Sequence, residues 1–522
     1  MLLVAILSIA AASCSDGGDD RATPTSGTPA SQDDERALPT LEPVRLYGAA
    51  AGDQSGAIAA GDFNGDGAGD VVLAAAFADG PDGAADAGAA YVFLGPFEPG
   101  EERDAATGDQ ALTILGAAAG DQLGRSVAAG DFDGDGLDDI VLGSPSSDGA
   151  GGDRVDGGRV DVVAGSRELS GAQRTVSVAD AGTAKVTVFG ASPGDLAGFS
   201  TATAHVNNDG AADLLIGAFY AAGPGDTRPM SGEVYVVYGG DRTGPLDLAA
   251  TTADVTIYGA ATGDRLGEGV AAGDVDGDGL DDLLLPAPFA VSLSGVKDAG
   301  RTYAVTSPPP PEIDLASYVA AATVYGTDDG DQLGHVTVAG DADKDGKDDL
   351  LLTAVSADGL GNSVDLAGEA AFLRSSSLKA VVDTAAGGAD SVIYGRDTRD
   401  RLGRSAAMGD VDGDGREELI LGAPGGAGAG NNTPDAGEVY VLPGDPRSEE
   451  IVPGKGYVFF GFDPGDALGS EVFGRNPLVA ADLDGDGRDE MLVVAPLADG
   501  VDNKRRDCGE ALILFITITN ET

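Results

Sequence analysis

The stretch GDFDGDGLDDIVLGSP, residues 130–145, decides the predicted fold of this chain. Five aspartates crowd into its first ten residues, and the apolar run from Ile140 to Leu142 follows them directly. The alternation of Asp with Gly predicts a tight loop, because glycine tolerates the positive φ angles that such a curl requires. The apolar run predicts a buried strand. The stretch therefore indicates an acidic loop that leads into a sheet.

Copies of this loop recur along the whole chain, and successive copies begin 67 to 74 residues apart. A period this regular is typical of stacked or radially arranged copies of one supersecondary unit. The seven copies are DFNGDGAGD (62–70), DFDGDGLDD (131–139), HVNNDGAAD (205–213), DVDGDGLDD (274–282), DADKDGKDD (341–349), DVDGDGREE (410–418) and DLDGDGRDE (482–490).

Each copy has the same flanks. A β run ending in an aromatic-glycine pair comes first, then a GDxLG-like turn and an apolar strand, and the acidic loop follows. A second strand, a variable loop and a third strand complete the unit, and the next aromatic-glycine run is its fourth strand. Seven such units predict an all-β fold, a seven-bladed β-propeller of four-stranded blades. The aromatic-glycine runs are RLYG (45–48), TILG (113–116, relaxed), TVFG (187–190), TIYG (256–259), TVYG (323–326), VIYG (392–395) and VFFG (458–461).

The two ends of the repeat region complement each other. The run at 44–48 matches a fourth strand with no first, second or third strand before it, and ALILFITI (511–518) matches a third strand with no fourth after it. Pairing these two runs completes the seventh blade and removes edges that would otherwise invite aggregation. The predicted propeller domain is therefore 44–518.

The combination of these motifs resembles the FG-GAP repeat. An aromatic-glycine pair and a Gly-Ala-Pro-like strand end, clean at 422–424, bracket a DxDGDGxxD loop. The FG-GAP family includes the integrin α-subunit propeller and many bacterial surface proteins. The resemblance implies a seven-bladed propeller with calcium in the loops that join first and second strands. It also implies that partners bind on the opposite face, as they do in integrins.

The acidic loop itself favours a cation. Carboxylates at positions 1, 3 and 5 point inward when the backbone curls, position 7 offers a carbonyl, and position 9 closes the shell. An oxygen-only shell suits a hard ion, and the looser geometry of calcium fits better than the strict octahedron of magnesium. The pattern argues against a helical EF-hand, because position 9 already leads into a β run. The alternative is that Asp and Gly simply make good turns; six nearly intact copies argue against it, because unneutralised carboxylates this close repel.

Six loops are therefore predicted calcium sites. The fifth is weakened by Lys344 at position 4, and the third, with His205 at position 1 and Asn207, Asp209 and Asp213 after it, is predicted to be empty or weak. The predicted ligands are Asp62, Asn64, Asp66, Ala68 and Asp70; Asp131, Asp133, Asp135, Leu137 and Asp139; Asp274, Asp276, Asp278, Leu280 and Asp282; Asp341, Asp343, Asp345, Lys347 and Asp349; Asp410, Asp412, Asp414, Arg416 and Glu418; and Asp482, Asp484, Asp486, Arg488 and Glu490.

The N-terminus is typical of an exported protein. The apolar run from Leu2 to Ile9 is too short to span a bilayer and resembles a signal peptide, and AASC (11–14) resembles a lipobox whose Cys14 would carry lipid. Residues 1–14 are thus a predicted lipoprotein signal, or a plain secretory signal. Residues 15–43 are rich in Pro, Ser, Gly and acid, which predicts a flexible tether. Cys508 is then alone, a small packed residue outside any disulfide framework.

Charge and missing motifs limit the function. The chain has 31 Lys+Arg and 87 Asp+Glu, which gives a net charge of −56. So acidic a surface repels nucleic acid and anionic membranes, so we expect no nucleic-acid partner and no membrane contact other than a lipid anchor. No GxSxG or HExxH motif occurs, and His205 and His335 are expected at the surface, so we expect no enzyme.

The sequence thus predicts a monomeric, calcium-stabilised binding or adhesion-type module at the cell surface or outer membrane. Its partner, an extracellular protein or glycan, is expected on the variable loops opposite the calcium loops. The alternatives are a secreted hydrolase-type enzyme on a propeller scaffold and a purely structural envelope protein. The variable loops include 145–157, 219–231, 286–298 and 424–436.

Overall fold

The seven predicted units fold into seven sheets, and each sheet contains four antiparallel strands. The computed structural model describes residues 36–37, 42–171, 173–428, 431–444, 450–451, 456–470 and 476–516. We number the blades 1 to 7 by the order of their acidic loops. In blade 1 the first strand pairs with the second, the second with the third and the third with the fourth. The prediction of an all-β, seven-bladed propeller is confirmed.

Equivalent strands recur in all seven blades, with the following bounds from blade 1 to blade 7. The first strands are β3 (Ala57–Gly61), β8 (Ser126–Gly130), β13 (Ser200–Ala204), β18 (Ala271–Gly273), β23 (Thr337–Gly340), β28 (Ser405–Gly409) and β33 (Leu478–Ala481). The second strands are β4 (Asp70–Ala75), β9 (Asp139–Ser144), β14 (Asp213–Ala218), β19 (Asp282–Ala287), β24 (Asp349–Ala354), β29 (Glu418–Ala423) and β34 (Glu490–Ala495). The third strands are β5 (Ala89–Phe93), β10 (Arg159–Val163), β15 (Glu233–Val237), β20 (Arg301–Val305), β25 (Glu369–Leu373), β30 (Glu438–Leu442) and β35 (Glu510–Leu514). The fourth strands are β7 (Leu112–Leu115), β12 (Val186–Phe189), β17 (Val255–Tyr258), β22 (Ala322–Tyr325), β27 (Ser391–Tyr394), β32 (Tyr457–Phe460) and β2 (Val44–Tyr47).

Each sheet also has a fifth strand that the sequence did not predict. In six sheets it comes from the connection between the third and fourth strands of the next blade and pairs in parallel with the fourth strand of the blade before, as Arg174–Ser177 does with β7. In the blade 6 sheet the fifth strand is β1, which precedes β2 in the chain. These strands are only two to four residues long, too short for a periodic signal. The fifth strands are β11 (Arg174–Ser177), β16 (Gly244–Asp247), β21 (Glu312–Asp314), β26 (Val382–Asp383), β31 (Glu450–Ile451), β1 (Arg36–Ala37) and β6 (Glu102–Asp104).

The ends of the chain close the ring as predicted. Strand β2 pairs antiparallel with β35, with Val44 opposite Ile513 and Tyr47 opposite Glu510. Strand β1 pairs in parallel with β32 of blade 6, with Arg36 opposite Tyr457, so these two residues of the predicted tether form a strand. The rest of the predicted tether up to residue 35, the residues 38–41 and the lipobox lie outside the described residues.

The core lies between the blades. All six residues of every second strand are buried, because neighbouring blades cover both faces of each sheet. The first strands contact one another around the axis and line a central channel of about 410 Å³, whose walls include His335, half-buried rather than on the outer surface as expected. Cys508 is free and fully buried, as predicted for a packing residue.

Close packing explains why glycine follows the aromatic residue in the aromatic-glycine pair. A Cβ at Gly326 would stand 1.9 Å from the carbonyl oxygen of Ala299, just before the third strand of the same blade.

Ion pairs fix fifth strands to the blades that they cover. Arg154 Nη2 lies 2.7 Å from Asp247 Oδ1, and Arg228 Nη1 lies 2.8 Å from Asp314 Oδ1. Among the described residues, the short 3₁₀ turns are Pro81–Gly83, Arg167–Ser170, Pro224–Asp226, Leu360–Asn362, Ser375–Ser377, Thr384–Ala386 and Val501–Asn503.

Candidate metal loops and the opposite face

The acidic loops curl around their own carboxylates. In blade 2, Asp131 Oδ1 accepts a hydrogen bond from the Asp135 N–H at 3.0 Å, and Asp131 Oδ2 accepts one from the Gly136 N–H at 2.9 Å. Asp133 Oδ1 accepts from the Asp135 N–H, and Asp135 Oδ1 accepts from the Leu137 N–H. These hydrogen bonds fix the curl of the loop and orient the carboxylates of positions 1, 3 and 5.

Position 4 of the fifth loop keeps this curl without glycine. Lys344 has a φ of +62°, in the left-handed region that costs an L-residue about 1–2 kcal/mol. Its ammonium donates to the carbonyl of Asp414 in blade 6 at 2.9 Å. The lysine that weakened the prediction for this loop therefore points to a neighbouring loop.

Position 9 anchors each loop to its blade. Asp282 and Asp349 are the first residues of their second strands and are almost completely buried. One oxygen of each accepts a backbone N–H just after the third strand, from Ser307 at 2.9 Å and from Ser375 at 2.8 Å. Among the described residues, the other oxygen, Oδ2, has no hydrogen-bond partner in either aspartate. Burial, and then the neighbouring loop carboxylates, raise the pKa of Asp282 to about 6 and that of Asp349 to about 7. A buried oxygen of this kind fits a bound cation.

Five loops bring three carboxylates together. In each, one oxygen per residue lies within 4.8 Å of the other two, which is close enough to hold one ion. In four loops the group is formed by positions 1, 3 and 9, and in the fifth loop by positions 1, 3 and 5. The predicted ligands Asp135, Asp278, Asp349, Asp414 and Asp486 therefore stay outside these groups. The groups are Asp131, Asp133 and Asp139; Asp274, Asp276 and Asp282; Asp341, Asp343 and Asp345; Asp410, Asp412 and Glu418; and Asp482, Asp484 and Glu490.

The first loop forms no such three-carboxylate group within the described part of the chain. Its position 3 is Asn64, and both oxygens of Asp70 already accept backbone N–H groups, from Phe63 at 3.1 Å and from Gly95 at 2.8 Å. Asp62 and Asp66 still take part in the curl, because Asp62 Oδ1 accepts from the Asp66 N–H at 3.1 Å. The first loop therefore has fewer charges for an ion than the other five predicted sites.

In the third loop, side chains form hydrogen bonds to the oxygens that a cation would otherwise use. The amide nitrogen of Asn207 donates to Asp209 Oδ2 at 2.9 Å and to Asp213 Oδ1 at 3.2 Å. His205 Nδ1 lies 3.0 Å from the carbonyl oxygen of Ala211, the position-7 oxygen that a cation would use. These contacts are the physical reason to expect an empty or weak site here.

Position 8 has a role that the sequence analysis missed. Asp138 Oδ2 accepts the backbone N–H of Asp62 in the preceding blade at 2.8 Å, and Asp348 Oδ2 accepts that of Asp274 at 2.9 Å. The carboxylate at position 8 thus ties one loop to position 1 of the loop before it. The repeated pair of acidic residues at positions 8 and 9 was the signal that could have revealed this link.

Basic side chains contact the predicted carboxylate ligands of two loops. In the second loop the ammonium of Lys185 contacts Asp133 Oδ2, and in the fifth Arg374 Nε lies 3.6 Å from Asp343 Oδ2. Both residues lie in or next to connections between third and fourth strands, which meet the acidic loops at the same end of the blade. The fourth loop also holds an ammonium, because Lys347 donates to the carbonyl oxygen of Asp276.

The opposite end of the propeller carries the variable loops, where several large apolar side chains are exposed. Four of them lie in the variable loops of blades 3 and 4, where the guanidinium of Arg265 lies 5.7 Å from the centre of the Tyr220 ring and 4.0 Å from that of Phe289. An exposed apolar patch rimmed by polar groups is typical of an interaction surface. The four side chains are Tyr220 (40 % exposed), Met230 (42 %), Val291 (43 %) and Leu293 (52 %).

Seven radial blades with acidic loops at one end define a β-propeller with candidate cation sites. The model of one family, described as the FG-GAP repeat, matches four of the units. Four blades of this chain are therefore FG-GAP repeats. The matched residues are 56–93, 123–163, 266–305 and 402–442.

Two kinds of curated relative are similar to parts of the chain. Integrin alpha pat-2 of Caenorhabditis briggsae is 30% identical over 237 residues, which are 44% of this chain and 18% of the relative. Phosphatidylinositol-glycan-specific phospholipase D of Rattus norvegicus is 32% identical over 166 residues, which are 31% of this chain and 19% of the relative. The matches thus span less than a fifth of these relatives' own length.

The solved structure of exotype rhamnogalacturonan lyase YesX aligns with this chain at 16% sequence identity and a TM-score of 0.42. The alignment covers 93% of this chain and 76% of the lyase chain, and no functional statement follows from it. Within the described residues, no helix has the length and apolar character needed to cross a membrane.

Proposed function

We propose that this protein is an exported, calcium-binding propeller that acts as a binding or adhesion-type module at the cell surface. The observation that carries the proposal is the division between its two ends. Groups of three carboxylates gather at one end, and exposed apolar side chains gather in the variable loops at the other. A rigid scaffold with variable loops at one end is where binding usually resides.

Calcium is the cation that we propose for the acidic loops. The donors are all oxygens, and the buried Oδ2 atoms of Asp282 and Asp349 lack hydrogen-bond partners among the described residues. Calcium accepts six to eight oxygen ligands in flexible geometry, which suits a loop with backbone carbonyls and carboxylates. The strongest candidates are the five three-carboxylate loops; we propose a weaker site at Asp62 and none at His205.

The proposed partner is an extracellular protein or a glycan, bound opposite the calcium loops. Support comes from the apolar patch of blades 3 and 4 and from the similarity to integrin α chains, which remains a similarity to a part of those proteins. The net charge of −56 argues against nucleic acid and anionic membranes as partners.

Binding arrays test the partner proposal. The mature chain, in 1 mM calcium, is applied to arrays of glycans and of extracellular proteins, and the variants Tyr220→Ser and Leu293→Ser are compared with Val319→Ser. Val319 is 82 % exposed but lies in the connection between β21 and β22, so it is a matched apolar control. Loss of binding in the first two variants alone supports the proposed face. Equal binding by all three places the partner elsewhere, and no binding to any array component favours a structural envelope protein.

Export and anchoring form a separate part of the proposal. We propose that Cys14 carries lipid and that the propeller remains outside the cytoplasm on its tether. Labelling of expressing cells with a radioactive fatty acid is expected to mark the wild-type chain and not Cys14→Ser. Release of the unlabelled wild-type chain into the medium would instead support a plain secretory signal.

We also propose that the chain is not an enzyme. The named activity of the phospholipase D relatives belongs to proteins of which this chain matches about a fifth. Release of a glycosylphosphatidylinositol-anchored reporter by the purified chain would contradict this proposal.

A further inference from the structure

Four blades carry a buried tyrosine at the same position. It is the third residue of the third strand, and its ring is at most 5% exposed in each case. In blades 3 and 6 its hydroxyl donates to a glutamate two residues earlier: Tyr235 to Glu233 at 2.5 Å, and Tyr440 to Glu438. The ring therefore fills space between the strands, and in blades 3 and 6 its hydroxyl gives the buried glutamate a hydrogen-bond donor. The four tyrosines are Tyr91, Tyr235, Tyr303 and Tyr440.

Blade 5 keeps the glutamate and loses the tyrosine. Its third strand begins with Glu369, and Ala371 stands at the position of the ring. A cavity of about 420 Å³ opens there. Its wall includes the side of Ala371 and residues of the loops at the end opposite the acidic loops, among them Asn362. The missing ring thus coincides with an opening on the face where we place the partner.

The lining of this cavity combines acid with apolar surface. Glu369, Asp331 and Asp328 contribute carboxylates, and Leu333 and Val392 contribute apolar walls. Burial first, and then Asp331 and the other nearby carboxylates, raise the pKa of Glu369 to about 8. No basic side chain lines the cavity among the described residues. A cation entering it would relieve repulsion between its acids.

The spacing of these acids disfavours a bare metal ion. Within the described residues, the groups that bring three ligand atoms within 4.8 Å of one another all lie in the acidic loops, and none includes Glu369. A larger cation with an apolar stem fits better, because its charge can meet the carboxylates while its methylenes cover the apolar wall.

We propose that the blade 5 cavity binds a primary alkylammonium group, carried by a free amine or by a lysine side chain of the partner. The inference rests on the proposed function only for the face that it occupies. It extends that function by giving the chemistry of one contact.

Ligand-observed NMR tests the proposal with two probes, n-butylammonium and Nα-acetyl-lysine N-methylamide, and with 1-pentanol as the neutral comparison. The mature chain is kept in 1 mM calcium, and its ion content and melting temperature are measured in the same samples. At pH 9, where Glu369 is ionised and the ammonium is still protonated, Glu369→Gln is expected to weaken ammonium binding by about tenfold or more, because it leaves the bound cation without that charged partner. Ala371→Tyr, which restores the ring, is expected to weaken it as much because the ring fills the cavity. Ala371→Ser, which leaves the cavity open, is the matched control and is expected to bind as the wild type does.

Stronger binding of the lysine amide identifies a partner's side chain as the ligand, and stronger binding of butylammonium identifies a free amine. Equal binding of ammonium and alcohol, or equal binding by wild type and a folded Ala371→Tyr, overturns the proposal. So does the absence of binding by the wild type at about 10 mM probe, the weakest affinity compatible with a built site. Because calcium content is measured separately, such a failure leaves the calcium proposal untouched.

Discussion

Removing calcium is expected to lower the melting temperature of the propeller in proportion to the number of occupied loops. The five three-carboxylate loops each hold the turn between the first and second strands of a blade. Without an ion, the carboxylates of each group repel one another across less than 4.8 Å. Chelation should therefore destabilise every one of these turns while leaving the sheets themselves unchanged.

The size of the effect follows from linkage. Extracellular calcium modules bind with dissociation constants of about 10⁻⁴–10⁻³ M, so 1 mM calcium adds about 0.4–1.4 kcal/mol per site to the free energy of unfolding. Five sites add about 2–7 kcal/mol. An unfolding entropy of about 2.1 cal/mol/K per residue gives about 1 kcal/mol/K for roughly 480 residues, so the melting temperature should fall by about 2–7 °C. Raising calcium to 10 mM should widen the difference to about 7–14 °C.

The assay is differential scanning calorimetry in calcium and in chelator, with bound ions counted by mass spectrometry of the metal. Asp282→Asn should reduce the ion count by one, because it neutralises a buried member of a three-carboxylate group. Asp213→Asn, the same change in the third loop, should leave the count unaltered. Identical melting curves in calcium and chelator, together with no bound ion, would refute the argument and reduce the loops to acidic turns.

Three further outcomes are expected. Deleting residues 1–48 removes the closing strand of blade 7 and should abolish cooperative unfolding in circular dichroism, whereas deleting residues 1–35 should preserve it; a cooperative transition in both would contradict the closure. Gly326→Ala forces a Cβ to within 1.9 Å of a carbonyl oxygen and should cost about 3 kcal/mol or more by urea denaturation, while Gly330→Ala, at a positive φ in open space, should cost about 1–2 kcal/mol. Glu369 has a raised pKa of about 8, so the folded state binds its proton more tightly than the unfolded state, and stability is lost as pH rises from about 4.5 to 8. Glu369→Gln should therefore gain stability relative to wild type at pH 8, with the gain vanishing near pH 5 in urea titrations; a gain that does not change with pH would contradict the assignment.

Much of the architecture could be predicted because it repeats. A single DGDG is compatible with any turn, but seven copies at one period, each with the same flanks, determine the number of blades and the order of strands. The closure by β2 was predictable for the same reason, since an unpaired fourth strand at one end of the chain matched an unpaired third strand at the other. Calcium ligands could be proposed because ligand spacing within a curled loop is a local property.

The contacts between neighbouring blades could not be predicted from the sequence. The fifth strands are too short to show a pattern, and they exist only because the outer edge of each blade lies beside the connection of the next. The link from Asp138 to the backbone of Asp62, 76 residues away, likewise depends on how neighbouring blades meet.

The blades, their closure and the acidic loops could thus be read from the sequence, because each follows from a local pattern repeated at a fixed period. The folded molecule was needed to see which loops gather three carboxylates, which loop hydrogen-bonds internally through Asn207 and His205, and where Ala371 leaves a cavity. These features depend on distances and burial set by the packing of blade against blade, and one-residue departures from the repeat change them without changing the pattern.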